Sequence, residues 1–131
     1  MVITAGDALA LSEKVLAAWN RQDVEGVVAC YTEDCVYLDP NTRGPVEGRD
    51  SLHRYLTKLF AKWKMHWTLK EFHTFSEISG GGFLWSATLT PTDGGGQTVE
   101  VNGMDLVMLR DNLLRRNEVY FDRMALFGGT G

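Results

Sequence analysis

The sequence predicts an α+β fold: three N-terminal helices packed on a strongly curved mixed or antiparallel sheet that encloses a pocket. Three observations predict it. Apolar residues recur at helical spacing through the first half of the chain. From His66 onward they give way to aromatic and β-branched runs separated by Gly-rich or Asp-Asn turns, as in a meander of long antiparallel strands. The chain has 131 residues, 44% of them hydrophobic and 11% aromatic, which is enough for one domain over 1–131 to bury a core.

The elements follow in order. Asp7 is expected to cap a first helix running to about Asn20, with Leu9, Leu16 and Trp19 among its apolar positions. Asp23 reads as the cap of a short second helix, where Val24, Val27, Val28 and Tyr31 fall on one face. A first strand then leads into Asp39-Pro40 and a Gly/Pro-rich loop. Residues 49–63 carry the strongest periodic signal, with Leu52, Tyr55, Leu56, Leu59, Phe60 and Trp63 forming a wide apolar stripe on a third helix. The strands that follow are "HWTLKEFHTFSEI", "FLWSATLTP", "TVEVNGMDLVML" and "LLRRNEVYFDRMAL". Neither Gly80–Gly82 nor Gly94–Gly96 has the context of a phosphate-binding loop, so both triplets read as turns.

Several function classes are disfavoured. Net charge is −4 and the most basic run is the doublet Arg115-Arg116, so nucleic acid is not an expected partner. No apolar run approaches the ~18–20 residues of a membrane span, and "MVITAGDALALSEK" lacks the pattern of a secretory signal. A cytoplasmic location is expected. Cys30 and Cys35 read as buried or half-buried free thiols. His53, His66 and His73 lack metal-ligand spacing, and with no nucleotide or flavin motif the sequence implies no metal and no cofactor.

Strand alternation places the interesting carboxylates. Val99, Val101, Gly103, Asp105, Val107 and Leu109 share one face of their strand, which sets Asp105 in the middle of the apolar side. A carboxyl there loses water, which raises its pKa unless a cation or donor attends it. On the first strand Tyr37 and Asp39 share a face, and Pro40 ends the pairing. Asp39 either lines a pocket or caps the turn through its carboxylate. Asp105 is either functional or a hydrogen-bonded structural acid. Asp122 reads as a structural acid bonded locally or paired with Arg123 or another base. Met104, Met108 and Met124 are core filler or an adaptable apolar lining. Glu100 and Arg110 fall on the open face or its rim. Apolar side chains on outer sheet faces, such as Trp67, Leu69 and Phe83 or their alternates, suggest a sheet-to-sheet homodimer.

Three stretches resemble the NTF2-like fold, and within it the SnoaL-like and ketosteroid-isomerase-like branch. "AAWNRQDVEGVVACYTEDCVYLDP" resembles its first two helices and first strand, "GRDSLHRYL" the start of its third helix, and "VNGMDLVML…EVYFDRMALFG" its last two strands. The resemblance implies a conical pocket and, for Asp39 and Asp105, the places of an isomerase's general base and its protonated oxyanion donor. Tyr37 or Tyr55 would be an auxiliary donor. The tyrosine that isomerases carry on the first helix is Val15 here, and the aspartate that SnoaL-type cyclases carry on the last strand is Val119. The Asp-Arg-Asp set of the limonene-epoxide-hydrolase branch has no counterpart at Val119 or in "SAT" at 86–88, so epoxide hydrolysis is rejected.

The expected site therefore has Asp39, Asp105 and Tyr37 as catalytic groups. Trp19, Tyr31, Tyr55, Leu59, Trp63, Trp85, Val101, Gly103, Val119 and Phe121 are expected to contact a small apolar molecule. The function expected is cofactor-independent isomerisation or aldol-type cyclisation of a steroid-, terpenoid- or polyketide-like carbonyl compound. The alternative is an apolar-ligand-binding protein without catalysis, which has no need of two carboxyls titrating apart.

Overall fold

A computed structural model describes residues 4–127. Helix α1 (Ala5–Asn20) is followed by α2 (Val24–Val28), strand β1 (Tyr31–Leu38), the short β2 (Val46–Glu47) and helix α3 (Arg49–Lys62). Strands β3 (Trp63–Thr74), β4 (Gly80–Pro91), β5 (Val99–Arg110) and β6 (Leu113–Phe121) follow, and a 3₁₀ turn spans Arg123–Phe127. One open six-stranded sheet has the order β2-β1-β6-β5-β4-β3. β3 to β6 form the expected antiparallel meander, but β1 joins β6 in parallel, which makes the sheet mixed. Breaks in register between Leu69 and Glu71, and between Met108 and Leu109, bend the long strands.

Local chemistry explains most boundaries. The α1 cap is Thr4, not Asp7: the Thr4 hydroxyl accepts the Asp7 backbone N–H at 3.1 Å, and Asp7 sits in the first turn, where a negative charge suits the helix dipole. Asp23 caps α2 as predicted, its carboxylate accepting the Gly26 N–H at 3.1 Å. Replacing Asp23 by alanine is expected to cost about 1 kcal/mol, read as a lowered urea midpoint with unchanged slope. Trp63 does not extend the α3 stripe but begins β3, three residues before the predicted start. Gly80–Gly82 is no turn: it opens β4, where a Cβ on Gly81 would stand 2.2 Å from the His73 carbonyl oxygen of the next strand. The last strand ends at Phe121, and the Asp122 carboxylate accepts the Met124 N–H at 3.0 Å.

The edge strand β3 is covered by side chains from the turn after α1. Asn20 exchanges two hydrogen bonds with the Trp67 backbone, at 2.7 and 3.1 Å. Gln22 donates to the Trp63 carbonyl at 2.7 Å and accepts the Met65 N–H at 3.2 Å. These amides imitate a neighbouring strand, satisfy an otherwise open edge, and fix the positions of Trp63 and Trp67.

The core lies between the helices and the inner sheet face, where Val27, Tyr31, Leu52 and Leu56 are wholly buried. Leu9 is an exception to the predicted stripe, being exposed. Trp67, Leu69 and Phe83 pack with the core and are not on the outer face. Their alternates fill that role: Leu84, Met104 and Tyr120 are exposed and lie side by side across β4, β5 and β6. Cys30 and Cys35 are buried free thiols, and Arg110 is an exposed group paired with Asp34 at 2.5 Å. Among the described residues no helix is long and apolar enough to cross a membrane.

Candidate active site

Asp105 lies on the inner face of β5 as alternation predicts, opposite Phe83 on β4 and Val119 on β6. It is buried, with no basic side chain bonded to it; its partners are two neutral donors. The Trp85 indole N–H reaches Oδ1 at 2.7 Å, and the Asn117 amide reaches Oδ2 at 2.9 Å. Asn117 in turn accepts the Tyr31 hydroxyl at 2.7 Å. Burial pushes Asp105 up to about 7; the two donors oppose the shift and the charge of Asp39 adds to it.

Asp39 stands just past the end of β1, buried and with every strong acceptor position engaged. Its Oδ2 accepts the Tyr37 and Tyr55 hydroxyls at 2.7 and 2.6 Å. Its Oδ1 accepts the Asn41 and Thr42 backbone N–H groups at 2.7 and 3.1 Å. A carboxylate offers about four lone-pair sites, so these donors occupy it fully. Both alternatives for Asp39 are thus realised in one side chain, which caps the turn and also faces a pocket. Burial and the neighbouring Asp39 charge raise Tyr37 and Tyr55, keeping both as hydroxyl donors.

Asp105 and Asp39 line two adjoining cavities. Asp105 lines a largely apolar cavity with about 550 Å³ of atom-free space, counting its mouth. Asp39 lines a second one of about 400 Å³. Trp19, Tyr37, Trp67, Trp85 and Val119 line both, so the two spaces adjoin. Edge-to-face contacts hold the rings: Trp67 to Trp85 at 4.5 Å and Trp19 to Trp67 at 5.6 Å between centroids.

Of the predicted contacts, Trp19, Trp85 and Val119 border both spaces, while Leu59, Trp63, Val101 and Phe121 border the second. Three do not line either cavity. Tyr31 lies behind Asn117, Tyr55 acts through Asp39, and Gly103 makes room for the Trp85 ring. Val15, at the position of the isomerase tyrosine, is part of the first cavity wall. Sequence reasoning missed Asn117, although it shares the inward phase of β6 with Val119 and Phe121. It also missed that Trp67 faces inward. Met104, Met108 and Met124 border neither cavity. Among the described residues no group of His, Cys, Asp and Glu is placed to hold a metal ion.

The model of the SnoaL-like domain matches residues 12–117. The chain belongs to the SnoaL-like family. Solved structures share the fold of this SnoaL-like chain at low identity. A Bacillus subtilis protein provisionally named an isomerase is 14% identical with a TM-score of 0.85, over 95% of each chain. A ketosteroid isomerase-like protein from Erwinia carotovora is 22% identical with a TM-score of 0.70, over 88% of this chain and 94% of that one. A Silicibacter protein provisionally named a polyketide cyclase is 17% identical with a TM-score of 0.76, over 95% of each. Among curated proteins none matches the chain.

Proposed function

We propose that this SnoaL-like protein is a cofactor-independent acid/base enzyme acting on a small, neutral, apolar carbonyl compound, by isomerisation or aldol-type cyclisation. The observation that carries the reading is Asp105: a buried carboxyl, poised near neutrality, in the wall of an apolar cavity. A group populated in both forms at neutral pH can take a proton from carbon and return it elsewhere. In an enolisation the Asp105 carboxylate removes the α-proton, the C–H pair becomes a C=C bond while the C=O π pair moves to oxygen, and the resulting carboxylic acid returns the proton to another carbon of the conjugated system as the carbonyl re-forms. The lining carries no cation to draw in an anion, which favours a neutral substrate. The indole N–H of Trp67 is buried without an acceptor, and a ligand oxygen would give it one.

This reading shifts the base from Asp39 to Asp105. Asp39, with all its acceptor sites occupied, is better suited to fixing Tyr37 and Tyr55 than to collecting a substrate proton. That saturation also favours the second reading, a binding protein without chemistry.

Deuterium exchange of apolar cyclic ketones in D₂O, followed by NMR, separates the two. The enzyme reading expects exchange that inflects near pH 7 and falls at least ~10²-fold in Asp105→Asn. Ketones that bind without exchanging would leave the binding protein as the better description.

A further inference from the structure

We propose that Tyr31, acting through Asn117, directs the Asp105 proton into the first cavity, so that the neutral acid is free to donate to a ligand's acceptor oxygen. The proposal rests on the reading of Asp105 as the acid/base group of this cavity and concerns its neutral form, the one that has taken up a proton.

Both side chains that touch the Asp105 carboxyl present N–H groups: the Trp85 indole to Oδ1 and the Asn117 amide nitrogen to Oδ2. Neither nitrogen can accept a hydrogen bond. When Asp105 is neutral, its proton therefore finds no acceptor among these partners. It turns toward the apolar cavity, where a carbonyl or ether oxygen can take it.

That outcome depends on which end of the Asn117 amide faces Asp105. Turned over, the amide would present its carbonyl oxygen, accept the acid proton and keep it inside the protein. Two contacts oppose the turn. The Tyr31 hydroxyl donates to Oδ1 of Asn117 at 2.7 Å, and the Leu106 carbonyl accepts from Nδ2 at 3.4 Å. Tyr31 is wholly buried, burial together with the Asp105 charge raises its pKa, and the Trp19 side chain donates to its oxygen, which leaves the O–H to donate to Asn117. Tyr31 and Asn117 are thus positioning residues. The titratable groups around Asp105 are few: Tyr31 and Tyr37 on β1, with Asp39 acting from the second cavity. α1, β4 and β6 bring no titratable side chain to the first cavity wall.

The test follows the Asp105 carboxyl by ¹³C NMR across pH 4–9 in the wild type, Tyr31→Phe, and Tyr31→Phe combined with Asn117→Leu. The same three proteins are then given [carbonyl-¹³C]cyclohexenone. In Tyr31→Phe the amide is released, so the Asp105 midpoint should rise by at least about one pH unit, the size of one hydrogen bond to a charged group. The downfield shift of the bound ketone carbon should be lost. The double variant keeps a raised midpoint, since a donor is gone, but regains the ketone shift because no acceptor remains to trap the proton. A purely structural tyrosine would not give this rescue. An unchanged midpoint in Tyr31→Phe overturns the proposal. So does a ketone shift that Asn117→Leu fails to restore in the folded double variant. If cyclohexenone leaves the wild-type spectrum unchanged, the carbonyl reading fails, while the ligand-free titration still decides the role of Tyr31.

Discussion

Between pH 4 and pH 8 the protein is expected to lose about 4 kcal/mol of stability relative to its Asp105→Asn variant. Burial lifts the Asp105 carboxyl from 3.8 to about 7, so over that range the folded state holds a proton that the unfolded chain has released. The sign follows from linkage. A pKa raised on folding gives a contribution that is complete below the unfolded value, falls steadily above it, and is gone once the pH exceeds the folded value. About three pH units at ~1.4 kcal/mol each set the magnitude. The variant has no such term. It carries a different handicap, because an asparagine has one acceptor oxygen for two donors, Trp85 and Asn117. The variant should therefore be the less stable protein at pH 4.5 and the more stable one at pH 8. Urea unfolding of both proteins at several pH values reads this directly. Parallel stability curves would mean that Asp105 titrates like an exposed carboxyl, and the case for a poised acid would go with them. A crossing would show that the fold carries a destabilising group in its core at neutral pH, as functional sites commonly do.

The fold was largely legible because periodicity is a local property. The period of α3 and the alternation of β5 survive folding, and with them the inward position of Asp105 and the shared side of Tyr37 and Asp39. What was not legible depends on chain segments meeting. β2 is only two residues long and exists because β1 offers it a partner. Gly80–Gly82 looks like a turn in isolation, yet serves close approach between strands. The shape of the cavity walls depends on how Trp19, Trp67 and Trp85 set their rings against one another, and sequence spacing carries no information on ring orientation. Asn117 is an intermediate case. Its alternation with Val119 and Phe121 marks a polar residue on a buried face, a signal of the same kind that singled out Asp105.

Gly103→Ala should cost about 3 kcal/mol and change the titration of a residue it does not touch. A Cβ at position 103 would stand 2.5 and 2.6 Å from two ring carbons of Trp85 and 2.6 Å from the Tyr120 carbonyl oxygen. Backbone lies on one side and a buried indole on the other, so no flexible side-chain end can give way. The ring is held further by Trp67 and Phe121, with centroids 4.5 and 6.0 Å away. Relief requires the Trp85 ring to move, and its N–H is one of the two donors to Asp105. Losing that donor removes a contact that favours the charged carboxyl, so the Asp105 midpoint should climb by about one pH unit as the protein weakens. Trp85→Phe provides the comparison: it loses the donor and leaves space, so it should show the raised midpoint without the overpacking. If Gly103→Ala lowers stability while the midpoint stays in place, the ring has moved along its own plane and kept the hydrogen bond. The poise of Asp105 would then not depend on the close fit between Gly103 and Trp85. If both change together, a glycine chosen for its lack of a side chain is setting the acidity of a carboxyl through the indole between them.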